Sequence, residues 1–224
     1  KLWGARFQSD LHESAKKFSY SLAVDHELLS AEVKVSMAHA LMLGKVGLVS
    51  QREARALVRG LWRVLARLKR NAPGVSRYAY EDIHTLVQAT LETKVGKLAR
   101  KLHTARSRND LVTTSMRLHL REEIGSILEA IHRFQSILLV QAEKNQNVTI
   151  PGYTHLQRAQ VVLVAHYFLA YLEMFQRDAS RLRDARERMG ECPLGAGALA
   201  GSNLPIDRFF VAKLLGFRKP TANS

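Results

Sequence analysis

Residues 109–145 read NDLVTTSMRLHLREEIGSILEAIHRFQSILLVQAEKN, and this stretch decides the fold of the 224-residue chain. Apolar side chains recur in it at spacings of three and four, which is typical of one face of a single amphipathic helix. They are Leu120, Ile124, Ile127, Leu128, Ile131, Phe134 and Leu138. At a rise of about 1.5 Å per residue the helix would be roughly 55 Å long. We therefore expect the polar segments at its two ends not to meet within one subunit.

Two polar clusters flank this helix. The first is KLHTARSRND at residues 101–110, and the second is PGYTHLQRAQ at residues 151–160. Asn109 or Asp110 is the expected N-cap of the long helix. A second helical pattern runs from about Gln160 to Met189. Two long sequential helices favour part of a helical bundle, whose other helices belong to further subunits or to residues outside this sequence.

The rest of the chain also shows helical spacing, so the predicted fold class is all-α. We expect a small N-terminal helical domain over residues 1–110, and the start of the bundle over residues 111–224. Asp25 is the expected N-cap of a helix that ends near Leu43, and Ser50 and Glu53 have the spacing of a capping box for the next helix. Pro73-Gly74 is expected to end that helix, and Gly96 to end a further helix over 81–95. A short helix is expected over 205–215.

Composition limits the possible functions. A net charge of +14 raises the possibility of nucleic-acid binding, but the clearest run of arginines recurs at helical spacing opposite apolar residues. The stripe consists of Arg52, Arg55, Arg59, Arg63, Arg67 and Arg70. It fits a solvated helix face better than a surface for an anionic partner, and we expect neither a nucleic-acid nor a membrane partner. A single cysteine and the absence of a signal-peptide pattern favour the cytoplasm.

Arg106 and Arg108 carry the clearest binding chemistry of the first cluster. Guanidinium groups at a helix start suit carboxylates or phosphates. The same arginines could instead neutralise a helix end and pair with Asp82 or Asp110. Spacing alone leaves both interpretations open.

Thr154-His155 follows a Pro-Gly break, where a histidine can be held for proton transfer near neutral pH. A structural histidine is the alternative. The nine histidines show no metal-binding spacing and one cysteine cannot build a thiolate site, so no metal is expected. The glycine-rich segment 194–201 lacks the ending of a phosphate loop, and we interpret it as a tight turn between helices.

Five motifs in order resemble the argininosuccinate lyase and delta-crystallin family of the fumarase/aspartase superfamily. They are KLWGARF at 1–7, EDIH at 81–84, the two polar clusters, and PLGAGALAG at 193–201. The resemblance implies reversible elimination of argininosuccinate to arginine and fumarate. It also implies an all-helical homotetramer, with active sites shared between subunits and with no cofactor.

The same resemblance suggests roles for individual residues. His155 resembles the catalytic histidine, and Thr154 a residue that binds a substrate carboxylate. Ser21, Arg108 and Asn109 resemble substrate-binding positions. Gln157 and Asp25 are expected to support them.

The chain departs from the family pattern at several positions near the first cluster. Alanine stands at 105 where glycine is usual, leucine at 111 where glutamine is usual, and glutamine at 88 where glutamate is usual. The family's mobile serine loop would lie beyond residue 224, so these residues alone are expected to be inactive. A non-enzymatic delta-crystallin-like protein, an inactive fragment, or a lyase of the superfamily with another substrate remain alternatives.

Overall fold

The computed structural model describes residues 11–71 and 80–223. The described chain is helical with only short strands, which confirms the all-α prediction. Its helices are α1 (Glu13–Ser19), α2 (Leu22–Asp25), α3 (Leu29–Lys45), α4 (Gln51–Asn71), α5 (Ile83–Val95), α6 (Arg108–Lys144), α7 (Val164–Arg188) and α8 (Arg208–Leu214). Short 3₁₀ helices cover His26–Leu28 and Gly96–His103. The motif at 1–7 and the Pro73-Gly74 break lie outside the described residues.

The chain divides into two compact units. One comprises residues up to His119 together with those from Gly190 onward, and the other comprises Leu120–Met189. The predicted long helix is one continuous element of 37 residues, α6, as its apolar spacing requires. The expected domain boundary near residue 110 stays a prediction.

The first unit is built on α3, α4 and α5. The buried side of α4 supplies Leu57, Leu61, Val64 and Leu68 to a core shared with α3 and α5. Its six arginines are all exposed, which confirms the interpretation of the stripe as a solvated face.

Two helix ends follow the sequence signals. At the start of α4, Ser50 N–H donates to Glu53 Oε2 at 2.9 Å and Glu53 N–H donates to Ser50 Oγ at 3.2 Å, which confirms the capping box. At the end of α5, Gly96 has a φ of 60°, a conformation that favours glycine.

Two predicted N-caps are wrong. Asp25 does not cap α3, because it ends α2 and a 3₁₀ turn separates it from that helix. The long helix begins at Arg108, so Ser107 precedes it rather than Asn109 or Asp110. Asn109 N–H donates to Ser107 Oγ, and Ser107 N–H donates to Asp110 Oδ1, so the side chains of Ser107 and Asp110 satisfy backbone N–H groups at the start of the helix.

The C-terminal part of the first unit contains α8 and a two-residue parallel pairing of β3 (Glu191–Cys192) with β4 (Lys219–Pro220). Asp207 caps α8 by accepting a hydrogen bond from Phe210 N–H at 2.8 Å. The helix expected over 205–215 therefore forms, but it starts three residues later, because the Asp207 side chain sets the first turn.

The second unit pairs the later part of α6 with α7. Phe134 and Phe175 meet edge to face with ring centroids 5.0 Å apart, and Gln135 Nε2 donates to Leu172 O at 3.3 Å. Ile124 and Leu128 pack against Ala179. This pattern, in which later residues of one helix meet earlier residues of the other, is antiparallel, as the sequence predicted.

A β-hairpin replaces part of the second predicted helix. Strands β1 (Thr149–Thr154) and β2 (Gln157–Leu163) pair antiparallel, and α7 begins only at Val164. The prediction of a helix from Gln160 is wrong, because β-branched Val161 and Val162 pair with β1 instead.

His39 provides a pH-dependent contribution to stability. The side chain is 1% exposed, and its Nε2 bonds the Thr104 carbonyl at 2.9 Å. Burial, assisted by the charge of Arg106, lowers the pKa of His39 to about 3. As the pH drops, this histidine is therefore protonated in the unfolded chain before it is protonated in the folded chain. The free energy of unfolding falls between about pH 6.5 and pH 3 for that reason.

We expect this histidine to remove roughly 3 kcal/mol of unfolding free energy between pH 7 and pH 4. The measurement is urea unfolding at both pH values for the native chain and for His39→Gln. In the His39→Gln chain, the difference in unfolding free energy between the two pH values should be smaller by roughly 3 kcal/mol. Replacing the exposed His26 with glutamine should leave that difference unchanged. Equal pH dependence in the native and His39→Gln chains would contradict the assignment.

Candidate active site

The first unit contains a cavity of about 410 Å³. Its polar lining combines both signs of charge and two histidines, namely Glu32, Glu81, His84, Gln88, His103, Arg106, Ser107 and Arg108. Such a mixture favours a small ligand that itself carries both positive and negative groups. The first polar cluster of the sequence forms one wall of this cavity.

Arg108 projects from the first turn of α6 and forms an ion pair with Asp82. Asp82 is 5% exposed and also caps α5 by accepting a hydrogen bond from Thr85 N–H at 2.8 Å. Burial lowers the pKa of Arg108, and the nearby Glu81 carboxylate opposes that shift. The pairing with Asp82 that spacing left open is therefore present, and Arg108 lines the cavity as well.

Ser21 lies at the same end of α5. Its backbone N–H donates to the Glu81 carbonyl at 2.8 Å, and its Oγ donates to Asp25 Oδ2 at 2.6 Å. The other oxygen of Asp25 accepts a hydrogen bond from Ile83 N–H at 3.0 Å. The structure thus brings Ser21 and Arg108 to one segment, residues 81–83, and Asp25 connects Ser21 to that segment. A role for Asp25 in supporting substrate binding stays a prediction.

Asn109 points elsewhere. Its Nδ2 donates to the Ala198 carbonyl at 3.2 Å, within the glycine-rich turn. The neighbouring Asp110 is 3% exposed, and its Oδ2 accepts hydrogen bonds from Gly195 N–H and Gly197 N–H at 3.0 and 2.9 Å. The glycine-rich turn therefore encloses a carboxylate of this chain.

Both glycines are required for that turn. Gly195 and Gly197 have φ values of 94° and 67°, and a Cβ on Gly197 would lie 2.7 Å from the Gly201 carbonyl oxygen. The interpretation of segment 194–201 as a tight turn is confirmed.

Thr154, His155 and Gln157 lie together on the hairpin of the second unit. Thr154 at the end of β1 pairs with Gln157 at the start of β2, so His155 and Leu156 form a two-residue loop between the strands. Both have positive φ, 50° and 62°, as in a type I′ turn, which usually contains Asn-Gly. All three predicted residues are exposed, and His155 is held at the tip of the hairpin.

Glu32 lines the cavity and is buried in α3, and it is not among the residues predicted from the sequence motifs. A signal was available, since Glu32 is the only carboxylate between Leu28 and Leu43 in an otherwise mainly apolar segment. Charged side chains in a buried helix are rare unless they are paired.

Two departures from the family pattern also fall at the cavity. Gln88 and Leu111 are part of its lining. The third, Ala105, has a φ of 57°, so an alanine occupies a left-handed conformation that favours the glycine usual at that position.

We expect Ala105→Gly to raise the free energy of unfolding by about 1 kcal/mol. A left-handed conformation costs an L-residue about 1–2 kcal/mol, and the greater freedom of glycine in the unfolded chain offsets part of that gain. Urea unfolding measures the change. Ala66→Gly, on the exposed face of α4, should lower stability by about 1 kcal/mol; a loss of stability in both variants would show that Ala105 is not strained.

Among residues 11–71 and 80–223, no three histidine, cysteine, aspartate or glutamate side chains are grouped so that they could hold a metal ion. The only cysteine, Cys192, is buried, and burial raises its pKa to about 11. None of the described helices is both long enough and apolar enough to cross a bilayer.

The comparison with known proteins decides the family. A family model described as Lyase matches residues 5–224. The chain belongs to this lyase family. Argininosuccinate lyases from Pelotomaculum thermopropionicum and Thermosynechococcus vestitus are 48% and 47% identical to it over 224 residues, covering 100% and 99% of the chain. The predicted resemblance to argininosuccinate lyases is confirmed.

The lyase chain spans about half the length of these curated relatives, 48% of each. Among solved structures, an EDDS lyase in complex with formate is 26% identical, with a TM-score of 0.78 over 94% of this chain and 41% of that one. A fumarate lyase:delta crystallin from Brucella melitensis, 19% identical with a TM-score of 0.74 over 93% of this chain and 51% of that one, shares the fold.

Proposed function

We propose that the complete protein containing this chain is an argininosuccinate lyase, which eliminates argininosuccinate to arginine and fumarate. The supporting observation is a cavity lined by Arg106, Arg108, Glu32 and Glu81 in a chain 48% identical along its whole length to an argininosuccinate lyase. Argininosuccinate carries carboxylates, an ammonium group and a guanidinium group, so it matches a cavity with both signs of charge. No observation favours the crystallin-like alternative.

In the proposed reaction a base removes a proton from the carbon beside a carboxylate. The electron pair left on that carbon forms the double bond of fumarate as the C–N bond breaks. The guanidino nitrogen leaves with the electrons of the C–N bond and takes up a proton. Negative charge builds up on the carboxylate during the first step, so fixed cations and donors around it lower the barrier. Arg108, Asn109 and Ser21 are the proposed substrate-binding groups of the first unit.

His155 is the proposed proton-transfer group, acting directly or by orienting the base. Thr154 binds a substrate carboxylate in this proposal, and Gln157 supports it. The turn at residues 155–156 favours such a role, because a histidine in a strained left-handed position is held in one backbone conformation. The proposed reaction requires no metal or organic cofactor.

The protein is proposed to act as a homotetramer, with its sites shared between subunits. Large apolar side chains of α6 and α7 remain exposed within the second unit, among them Ile127, Ile137, Leu139, Tyr167 and Met174. A helix pair with so much exposed apolar surface favours burial in a larger bundle. We propose a cytoplasmic location and neither a nucleic-acid nor a membrane partner.

A substrate comparison on the complete protein tests the activity. Argininosuccinate, aspartate and ethylenediamine disuccinate are each supplied, and fumarate release is followed by its ultraviolet absorbance. We expect release from argininosuccinate at a kcat/KM at least 100-fold above that for the other two. Preference for another substrate would assign the protein to a different activity of the lyase family, and no release from any of them would reject the proposal.

A further inference from the structure

Glu32 is a buried carboxylate of the cavity lining to which the proposed reaction assigns no individual role. It lies in α3 with 2% of its surface exposed. Its Oε1 accepts a hydrogen bond from Ser36 Oγ at 2.9 Å, and its Oε2 accepts from His84 Nδ1 at 2.7 Å and from Ser115 Oγ at 3.3 Å. A charge is retained in such a position only where it is paired and hydrogen-bonded, as it is here.

The contact with Glu32 fixes the orientation of His84. Ser36, Ser115 and His84 all direct hydrogen-bonding groups at this carboxylate, an arrangement that suits its ionised form. An ionised carboxylate only accepts hydrogen bonds, so Nδ1 of His84 must carry the proton. In the neutral ring Nε2 is then an acceptor.

His84 is 5% exposed, yet it lines the 410 Å³ cavity. Within residues 11–71 and 80–223 its Nε2 has no hydrogen-bond partner, although Nδ1 is bonded. A buried ring that lines a cavity and has one nitrogen bonded to a carboxylate resembles the way in which proteins orient a histidine toward a ligand.

Glu32 also orients a cation. Arg106 Nη1 donates to Ser36 Oγ at 3.0 Å, and that hydroxyl donates to Glu32. Burial lowers the pKa of Arg106, and the Glu32 carboxylate opposes the shift. One carboxylate therefore supports two different groups of the same cavity: a cation that suits carboxylates and an imidazole acceptor that suits N–H donors.

We propose that Glu32 is a positioning residue that holds His84 with Nε2 free to accept a hydrogen bond from a nitrogen-bound proton of the ligand. For the function proposed above, on which this inference rests, that donor belongs to the arginine part of the substrate. Fumarate has no N–H group, so it makes no such contact.

A double-mutant cycle on the complete protein tests the proposal with two probes, arginine and fumarate. His84→Asn keeps an N–H donor for Glu32 and removes Nε2. Glu32→Gln keeps the shape but can donate to Nδ1, which releases the choice of tautomer. We expect each variant to raise the inhibition constant of arginine and the KM for argininosuccinate about tenfold, the loss of one good hydrogen bond.

The inhibition constant of fumarate should stay within about twofold in both variants. The double variant should be no worse for arginine than either single variant, because Glu32 acts through His84. Ser115→Ala removes another hydrogen bond to the same carboxylate but keeps its charge and its bond to His84. That control should lower the melting temperature without changing the constant for arginine.

The proposal would be overturned if the effects of the two substitutions on arginine inhibition were additive, or if inhibition by arginine and by fumarate weakened equally. It would also be overturned if the variants changed only the melting temperature. If Glu32→Gln fails to fold, the inhibition constants of arginine and fumarate in His84→Asn still test whether His84 contacts the arginine part of the substrate. Should the native protein release no fumarate from argininosuccinate, the proposed function fails, and arginine binding by calorimetry still tests the cycle. No arginine binding to the native protein would reject this inference as well.

Discussion

Replacement of His155 by asparagine in the complete protein should lower kcat for argininosuccinate by 10²- to 10⁴-fold, the usual contribution of a positioned acid or base. The fold should survive, because asparagine tolerates the left-handed conformation that His155 adopts at a φ of 50°. Fumarate release gives kcat, and circular dichroism with a thermal melt confirms folding.

A histidine outside the hairpin provides the control for His155. His26 is exposed on the 3₁₀ turn before α3, and His26→Asn should retain full turnover. Near-normal turnover in His155→Asn would remove this histidine from the reaction. An equal loss in both variants would indicate a general effect of histidine removal.

Asp110→Ala should lower the free energy of unfolding by about 3–5 kcal/mol, the largest effect expected in the first unit. The Asp110 carboxylate accepts three backbone hydrogen bonds, from Ser107, Gly195 and Gly197, at 2.9 to 3.0 Å. Alanine would leave buried N–H groups of the glycine-rich turn without an acceptor. Urea unfolding measures the loss.

An exposed carboxylate gives the matched comparison. Asp184 pairs with Arg188 one turn away on α7, with its side chain 58% exposed. Asp184→Ala should change the free energy of unfolding very little, as is usual for surface ion pairs. Similar small costs at both positions would show that the glycine-rich turn does not depend on Asp110.

The features predicted correctly from sequence are those set by local spacing. The apolar residues of α6 recur every three or four positions over 37 residues, and the capping box at Ser50 and Glu53 depends only on residues three apart. Gly96 ends α5 because its backbone needs a positive φ. These signals depend only on residues within a few turns of one another, so they can be recognised without knowledge of the tertiary contacts.

The β-hairpin was missed because its sequence lacks a strand pattern. No residue of β1 or β2 is buried, so no alternation of buried and exposed side chains could mark these strands. Val161, Val162 and Leu163 instead extended the apolar pattern of the helix that follows. The loop residues, His155 and Leu156, also lack the Asn-Gly pair that usually indicates such a turn.

The roles of Asp25, Asp110 and Glu32 depend on distant parts of the chain. Asp25 was predicted to be an N-cap because of its position before an apolar run, but its carboxylate binds Ile83 N–H, 58 residues away. Asp110 binds backbone groups 85 and 87 residues away, and Glu32 bonds His84 at a separation of 52. Spacing along one segment carries no information about such partners.

Product analysis tests the central proposal most directly. The complete protein, dialysed against a chelator, is incubated with argininosuccinate, and arginine and fumarate are quantified together by chromatography. We predict that both products appear in equal amounts, at the same rate as with protein that was not dialysed against the chelator. Turnover of argininosuccinate without equal amounts of the two products, or no turnover by the folded oligomer, would contradict it.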